Sequence, residues 1–343
     1  MPQVRARQGQ APEVNASGDA CVYVVGMHRS GTSALTGLLC HLGLGVPREE
    51  DQPRASRMNE RGFFESKSLC DFDDRLLDHL GGSWKAPPSV APGWEEDPTL
   101  VPHRAEAARL FEATFGERPI VWKDPRAVIV LPFWNTVIKD PLAAVFVYRD
   151  PFEVAASLRA RNHFRLTLGF ALWERYVRAA SANLAGLPTF AVSYSSLLGS
   201  PESVCDEISS FLAEVSVKVD PNLTGEAIEF LDSSLRHERA EKARRVEVPP
   251  STQAVHDAIR SRNGAYFPWT ALDLGPESQW ITDTFDAQRE LDDLHRRYVA
   301  LNSARPLRFA RKAYAVRDLA LARVARVVSR PERDRNAGPR GDR

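Results

Sequence analysis

Cys21-Val-Tyr-Val-Val25 runs directly into Gly26-Met-His-Arg-Ser-Gly-Thr-Ser33 and then Ala34-Leu-Thr-Gly-Leu-Leu39. The first stretch is short, apolar and β-branched, which reads as a buried strand. The last reads as the start of a helix. The turn between them has the layout of an anion cradle. Glycine lets backbone close around an anion without side-chain clashes, and a helix N-terminus points positive partial charge into it. The turn nearly fits the nucleoside-triphosphate loop G-x-x-x-x-G-K-[ST], in which the lysine reaches the β/γ-phosphates and the next hydroxyl holds magnesium. It departs from that pattern at one place. Thr32 stands where the lysine would follow Gly31, the loop's cation is Arg29, and Ser30, Thr32 and Ser33 crowd the turn with hydroxyls.

A second apolar run, Ala143-Ala-Val-Phe-Val-Tyr148, leads into Arg149-Asp150-Pro151 and a helix through Ser157-Leu158. Proline suits a first helical position. Arginine offers phosphate a planar fork, and a hydroxyl can complete the shell. The plainer readings are a salt bridge from Arg149 to Asp150 or Glu153, and a Ser157 bonded to its own helix backbone. Between these segments lies Ile120-Val-Trp122, a short strand stopped by Lys123-Asp124-Pro125-Arg126. Lys123 therefore stands at a strand end, where open parallel sheets bind ligands. A fourth strand, Phe190-Ala-Val-Ser-Tyr194, precedes Ser195-Ser-Leu-Leu-Gly-Ser-Pro201.

These segments together resemble the sulfotransferase family that uses 3′-phosphoadenosine 5′-phosphosulfate (PAPS), in a bacterial branch acting on carbohydrate or lipid-linked acceptors. The loop is similar to its 5′-phosphosulfate loop, with the R-S-G-T-[ST] run of the tyrosylprotein enzymes. The resemblance implies that Arg29, Ser30, Gly31, Thr32 and Ser33 bind the phosphosulfate. It also implies that Arg149 and Ser157 hold the 3′-phosphate, that Lys123 contacts the sulfuryl group with Arg29, and that Tyr194 lies near the adenine. Arg126 would touch the cofactor or an acidic acceptor. Asn59-Glu-Arg-Gly-Phe-Phe-Glu65 resembles this branch's N-x-x-G-[FY]-[FW]-E run, which makes Glu65 the first candidate for the base and Glu60 the second. Glu50 and His28 are outside choices, and His163 is expected at the surface. Glu65 also reads as a charge at the start of the helix that follows. The family's late R-K-G-x-x-G-D signature is missing, leaving Arg236 and Arg239 as candidates to complete the 3′-phosphate shell. No metal is expected.

The implied fold is α/β, a doubly wound parallel sheet flanked by helices with a helical C-terminal extension. Helices are expected at 32–42, 66–80, 101–115, 166–185, 201–212 and 276–303. Residues 83–98 read as an ordered Pro/Trp loop that either packs its indoles on the core or stacks on a sugar or lipid. By region, 1–19 reads as a disordered leader, 20–240 as the catalytic domain, 241–303 as connector and helix, and 304–343 as a basic amphipathic helix and disordered tail.

Formal net charge is zero over 343 residues, so no global field favours nucleic acid. The four cysteines are scattered without zinc spacing, which suits a reduced, cytoplasmic compartment. Charge is uneven: residues 304–343 hold twelve Lys/Arg against four Asp/Glu. Over 307–330, Arg308, Arg311, Lys312, Arg323, Arg326 and Arg330 face away from Phe309, Ala313, Val316, Val324, Val327 and Val328 on a helical projection, while Arg317 and Leu319 break the pattern. Two readings follow: a helix packed across the catalytic domain, or one lying peripherally on an anionic inner membrane. The expected acceptor is a glycan or lipid-linked hydroxyl. The rival functions are an ATP-Mg phosphotransferase and a non-catalytic nucleotide- or glycan-binding module. Oligomeric state is not legible.

Overall fold

The computed structural model describes residues 20–53, 64–116, 119–139, 142–220, 224–231 and 246–303. The described residues divide into two compact units, with the boundary between Ala287 and Gln288. The chain runs β1 (Cys21–Val25), α1 (Thr32–His41), α2 (Lys67–His79), α3 (Val101–Thr114), β2 (Ile120–Trp122) and α4 (Ala127–Asn135). It continues through β3 (Leu142–Tyr148), α5 (Pro151–Asn162), α6 (Leu166–Asn183), β4 (Thr189–Ser193), α7 (Tyr194–Gly199) and α8 (Pro201–Glu214). The last elements are α9 (Thr224–Phe230), α10 (Pro250–Arg260), β5 (Gly264–Tyr266) and α11 (Gln279–Ser303).

The strands form one sheet in the order β2-β1-β3-β4-β5. The first four are parallel, with Val24 beside Val145 and Val145 beside Phe190. Side chains alternate across a strand, and here both faces are covered, so the strand sequences are apolar throughout. Tyr23, Val25, Trp122, Phe146 and Tyr148 face α2, α3, α4 and α6. Val22, Val24, Val121, Val145 and Val147 face α1, α7, α8 and α9. This is the doubly wound arrangement expected from the four apolar runs.

β5 changes the expected sheet from parallel to mixed, because it pairs antiparallel with β4. It lies within the stretch read as connector. Three half-buried residues, Gly264-Ala-Tyr266, carry no period that a sequence reading could detect. α10 also lies there and buries Val255 and Ile259 in the core. α4 was hidden by Pro132, which ordinarily breaks helices; the chain bends near it at Val130 (φ −107°). In the 83–98 loop, Trp84 and Trp94 pack against the core while staying partly exposed. In the second unit, Leu291, Leu294 and Tyr298 are exposed. The 1–19 leader and the 304–343 segment lie outside the described residues. No helix among the described residues is long and apolar enough to cross a membrane.

α2 is anchored at its start. Ser66 is the N-cap, its hydroxyl accepting from the Leu69 amide at 3.0 Å and donating to Asp51. Asp51 also accepts from the Ser68 amide and hydroxyl at 3.1 and 2.7 Å. Ser66→Ala is expected to lower unfolding free energy by about 0.5–2 kcal/mol, the usual range for a lost cap. Urea unfolding of parent and variant checks this.

Candidate active site

The four parallel strands end at one edge, and each delivers a candidate residue there. The 26–31 loop follows β1, Lys123 follows β2, Arg149 follows β3 and Tyr194 follows β4. From β1 the chain goes on to β2 on one side, and from β3 to β4 on the other. The β1/β3 junction is therefore the topological switch point, where such sheets leave a crevice for ligands.

The loop is shaped by close approach. A Cβ on Gly26 would lie 2.5 Å from the Val147 carbonyl oxygen. Gly31 has φ +97°, and a Cβ there would meet the Tyr194 ring at 2.2 Å. Arg29 also takes a left-handed φ of 69°, a conformation costing roughly 1–2 kcal/mol for a residue with a side chain. It is held there from both sides. Its carbonyl accepts from Arg149 Nη1 at 3.2 Å, and its Nε donates to Ser157 Oγ at 2.8 Å. Arg149 in turn pairs with Glu153 at 2.7 Å and lies 4.6 Å over the Tyr194 ring. Asp150 instead caps α5, accepting from the Phe152 and Glu153 amides. α1 has no side-chain cap, and Ser30 Oγ is buried without a partner among the described residues. An uncapped helix start beside an unmet hydroxyl suits an anion.

Lys123 is the deepest cation of the group. Its side chain is 1% exposed; Nζ lies 2.5 Å from Glu65 Oε1 and 3.3 Å from Ser33 Oγ. Glu65 stands one residue before the Ser66 cap. Capping therefore falls to Ser66, and the Glu65 carboxylate turns to Lys123 and, at 3.9 Å, to the Cys70 thiol. Phe64 precedes it with a positive φ of 53° and rests against Phe230. Glu60, Arg236 and Arg239 lie outside the described residues. Glu50 and His163 are exposed.

Arg126 is committed to carboxylates: Nε to Asp74 at 2.8 Å and Nη1 to Asp124 at 3.1 Å. Burial alone would raise the Asp124 pKa, but Arg126 and hydrogen bonds from Cys70 and the Arg126 amide bring it below the usual carboxylate value. Asp73 is fully buried and accepts from Trp134 Nε1 at 2.8 Å; burial and then the Asp124 charge raise its pKa. Asp73 was missed in sequence because it looks like the polar side of an amphipathic helix. His28 packs against Trp84 and Tyr176, and its Nε2 has no partner among the described residues. Burial, then Arg126, lowers its pKa from 6.5 to about 3, Asp124 opposing. No group of three or more His, Cys, Asp or Glu side chains among the described residues is arranged for a metal.

The His28 shift has a consequence for stability. The unfolded chain takes up a proton near pH 6.5 and the folded chain does not until about 3. The His28 contribution is therefore complete above pH 6.5 and is lost as pH falls below it. Between pH 7 and 5 this amounts to about 1–2 kcal/mol. Urea unfolding at pH 7, 6 and 5 should show His28→Gln losing less stability on acidification than the parent.

No family model and no curated protein matches the chain. Solved structures similar to it include the sulfotransferase domain from the curacin biosynthetic pathway, 14% identical with TM-score 0.43, covering 71% of this chain and 98% of that one. The sulfotransferase domain of the Synechococcus PCC 7002 olefin synthase is 18% identical with TM-score 0.40, covering 74% and 98%. Sulfotransferase STF1 from Mycobacterium tuberculosis H37Rv is 16% identical with TM-score 0.34, covering 62% and 71%. All three are described as sulfotransferases or sulfotransferase domains.

Proposed function

We propose that this chain is a sulfotransferase that moves the sulfuryl group of PAPS to a hydroxyl of a carbohydrate or lipid-linked glycan. One observation carries the reading. An anion loop without the nucleotide-kinase lysine is joined, through Ser33, to a buried Lys123–Glu65 pair. Across the switch point, hydrogen bonds link Arg149 to Arg29 and Arg29 to Ser157, a grouping that supports a second anion site.

Bound PAPS would supply an activated sulfuryl group. Its phosphosulfate would rest on the amides of the 26–33 loop and the hydroxyls of Ser30, Thr32 and Ser33. Arg149 and Ser157 would hold the 3′-phosphate, with Tyr194 bordering the adenine. The Arg29–Ser157 hydrogen bond favours Arg29 on the 3′-phosphate side as well, not on the sulfuryl group alone. Sulfuryl transfer resembles phosphoryl transfer in being in-line and loose, so positioning and charge stabilisation do most of the work. Lys123 would turn from Glu65 to the oxygen that departs as its bond to sulfur breaks. Glu65, released from Lys123, would take the acceptor proton as the new sulfur–oxygen bond forms. Action in the cytoplasm belongs to the same proposal, with the basic 307–330 segment open to both readings, packing across the catalytic domain or docking at the inner membrane.

With PAPS and a cell-envelope glycan extract, the parent should yield sulfated product by mass spectrometry. Glu65→Gln should reduce turnover at least about 100-fold, the scale of a lost general base, while binding adenosine 3′,5′-bisphosphate normally. Arg149→Ala should instead weaken bisphosphate binding by about 1.5–3 kcal/mol, as for a charge-assisted hydrogen bond. Full turnover in Glu65→Gln with loss in Glu60→Gln would move the base to Glu60.

A further inference from the structure

Glu65 is fixed on both sides. After it, Ser66 caps α2, and Asp51 accepts from the Ser66 hydroxyl and from the amide and hydroxyl of Ser68. Before it, Phe64 holds a left-handed φ of 53°, which a bulky side chain keeps only where its surroundings enforce it. The Phe64 ring meets Phe230 of α9 edge-on, with centroids 6.2 Å apart and planes at 73°.

Phe230 in turn sits in a slot on α1. Gly37 lies in the interior of that helix, where glycine is weaker than alanine. Close approach accounts for it. A Cβ on Gly37 would lie 2.1 Å from Phe230 Cε1 and 2.2 Å from Cζ. One turn on, the His41 ring stands 5.1 Å from the Phe230 ring. Ala227 and Leu231, which bracket Phe230 in the chain, are buried in the same apolar cluster as Leu35 and Leu38 of α1. The Phe230 ring thus reaches from the helix that begins at the anion loop to the residue before Glu65. A shift of Phe64 would pass through one peptide bond to the 2.5 Å contact between Glu65 and Lys123.

We propose that Phe230 is a positioning residue for Glu65: seated in the Gly37 slot, it holds Phe64 and so keeps the Glu65 carboxylate at Lys123. The inference rests on the sulfotransferase reading only for the role of Glu65 as base. Emptying the slot with Phe230→Ala and filling it with Gly37→Ala act from opposite sides of one contact, and both should release Glu65. Leucine lacks the two ring atoms that a Gly37 methyl would strike. Phe230→Leu should therefore relieve Gly37→Ala, a coupling expected only of residues in contact.

Acylation of the full chain with acetic anhydride tests this, read by mass spectrometry at Lys123 against the exposed Lys218. The rate in Glu65→Ala sets the scale for an unpaired Lys123. Lys123 should react at least about fivefold faster in Phe230→Ala and in Gly37→Ala than in the parent, and near the parent rate when Gly37→Ala is combined with Phe230→Leu. Turnover with PAPS should fall at least about tenfold in the two single variants with bisphosphate affinity unchanged, as for a misplaced reacting group. Circular dichroism and urea unfolding report folding; should Phe230→Ala not fold, Gly37→Ala and its relief by Phe230→Leu carry the test. A folded Phe230→Ala or Gly37→Ala chain whose Lys123 stays as protected as in the parent overturns the proposal. So does a double variant worse than either single change. Faster Lys123 acylation with relief in the double variant, in a chain that neither binds the bisphosphate nor transfers a sulfuryl group, would uphold the positioning and overturn the sulfotransferase reading.

Discussion

The Lys123–Glu65 ion pair governs the rest of the site. An ammonium group whose side chain is 1% exposed needs a counter-charge, because removing one partner of a buried pair strands the other at a cost of about 3–5 kcal/mol. In the described state Glu65 supplies that charge from the start of α2, and Ser33 adds a hydroxyl from the anion loop. The candidate base and the candidate transfer cation thus hold each other in place. On the proposed reading, an arriving anion would take over the partnership with Lys123 and free the Glu65 carboxylate for the acceptor proton.

The fold makes this possible by bringing parallel strands to one edge. Gly26 lets the loop lie on the β3 backbone, and Gly31 lets it lie on Tyr194. Arg149 then reaches under the loop to the Arg29 carbonyl, and Arg29 reaches across to Ser157 on α5. The unfavourable φ of Arg29 is kept by these contacts, so the loop shape and the proposed second anion site depend on the same side chains. Strain of this kind persists only where surrounding structure over-determines it.

Much of this was legible before the structure. Four strands buried on both faces leave uninterrupted apolar runs, and a glycine turn between a strand and a helix is the sequence pattern of an anion loop. The residue types at the strand ends were readable one by one. Their partnerships were not, because Glu65 and Lys123 are 58 positions apart and Arg29 and Ser157 are 128 apart. β5 was too short to show a period, and Pro132 disguised α4. Asp73 looked solvent-facing but is buried, because an indole N–H from Trp134 meets it there.

The central claim is that the switch point reads a 3′-phosphate together with a 5′-phosphosulfate. Titration calorimetry of the parent chain with adenosine 3′,5′-bisphosphate and with ADP addresses it most directly. Both ligands carry an adenosine and two phosphates; they differ in whether a phosphate sits on the ribose 3′-oxygen. The account expects the bisphosphate to bind at least about tenfold more tightly, the scale of one charge-assisted hydrogen bond. Equal affinities, or a preference for ADP that grows with magnesium, would contradict it.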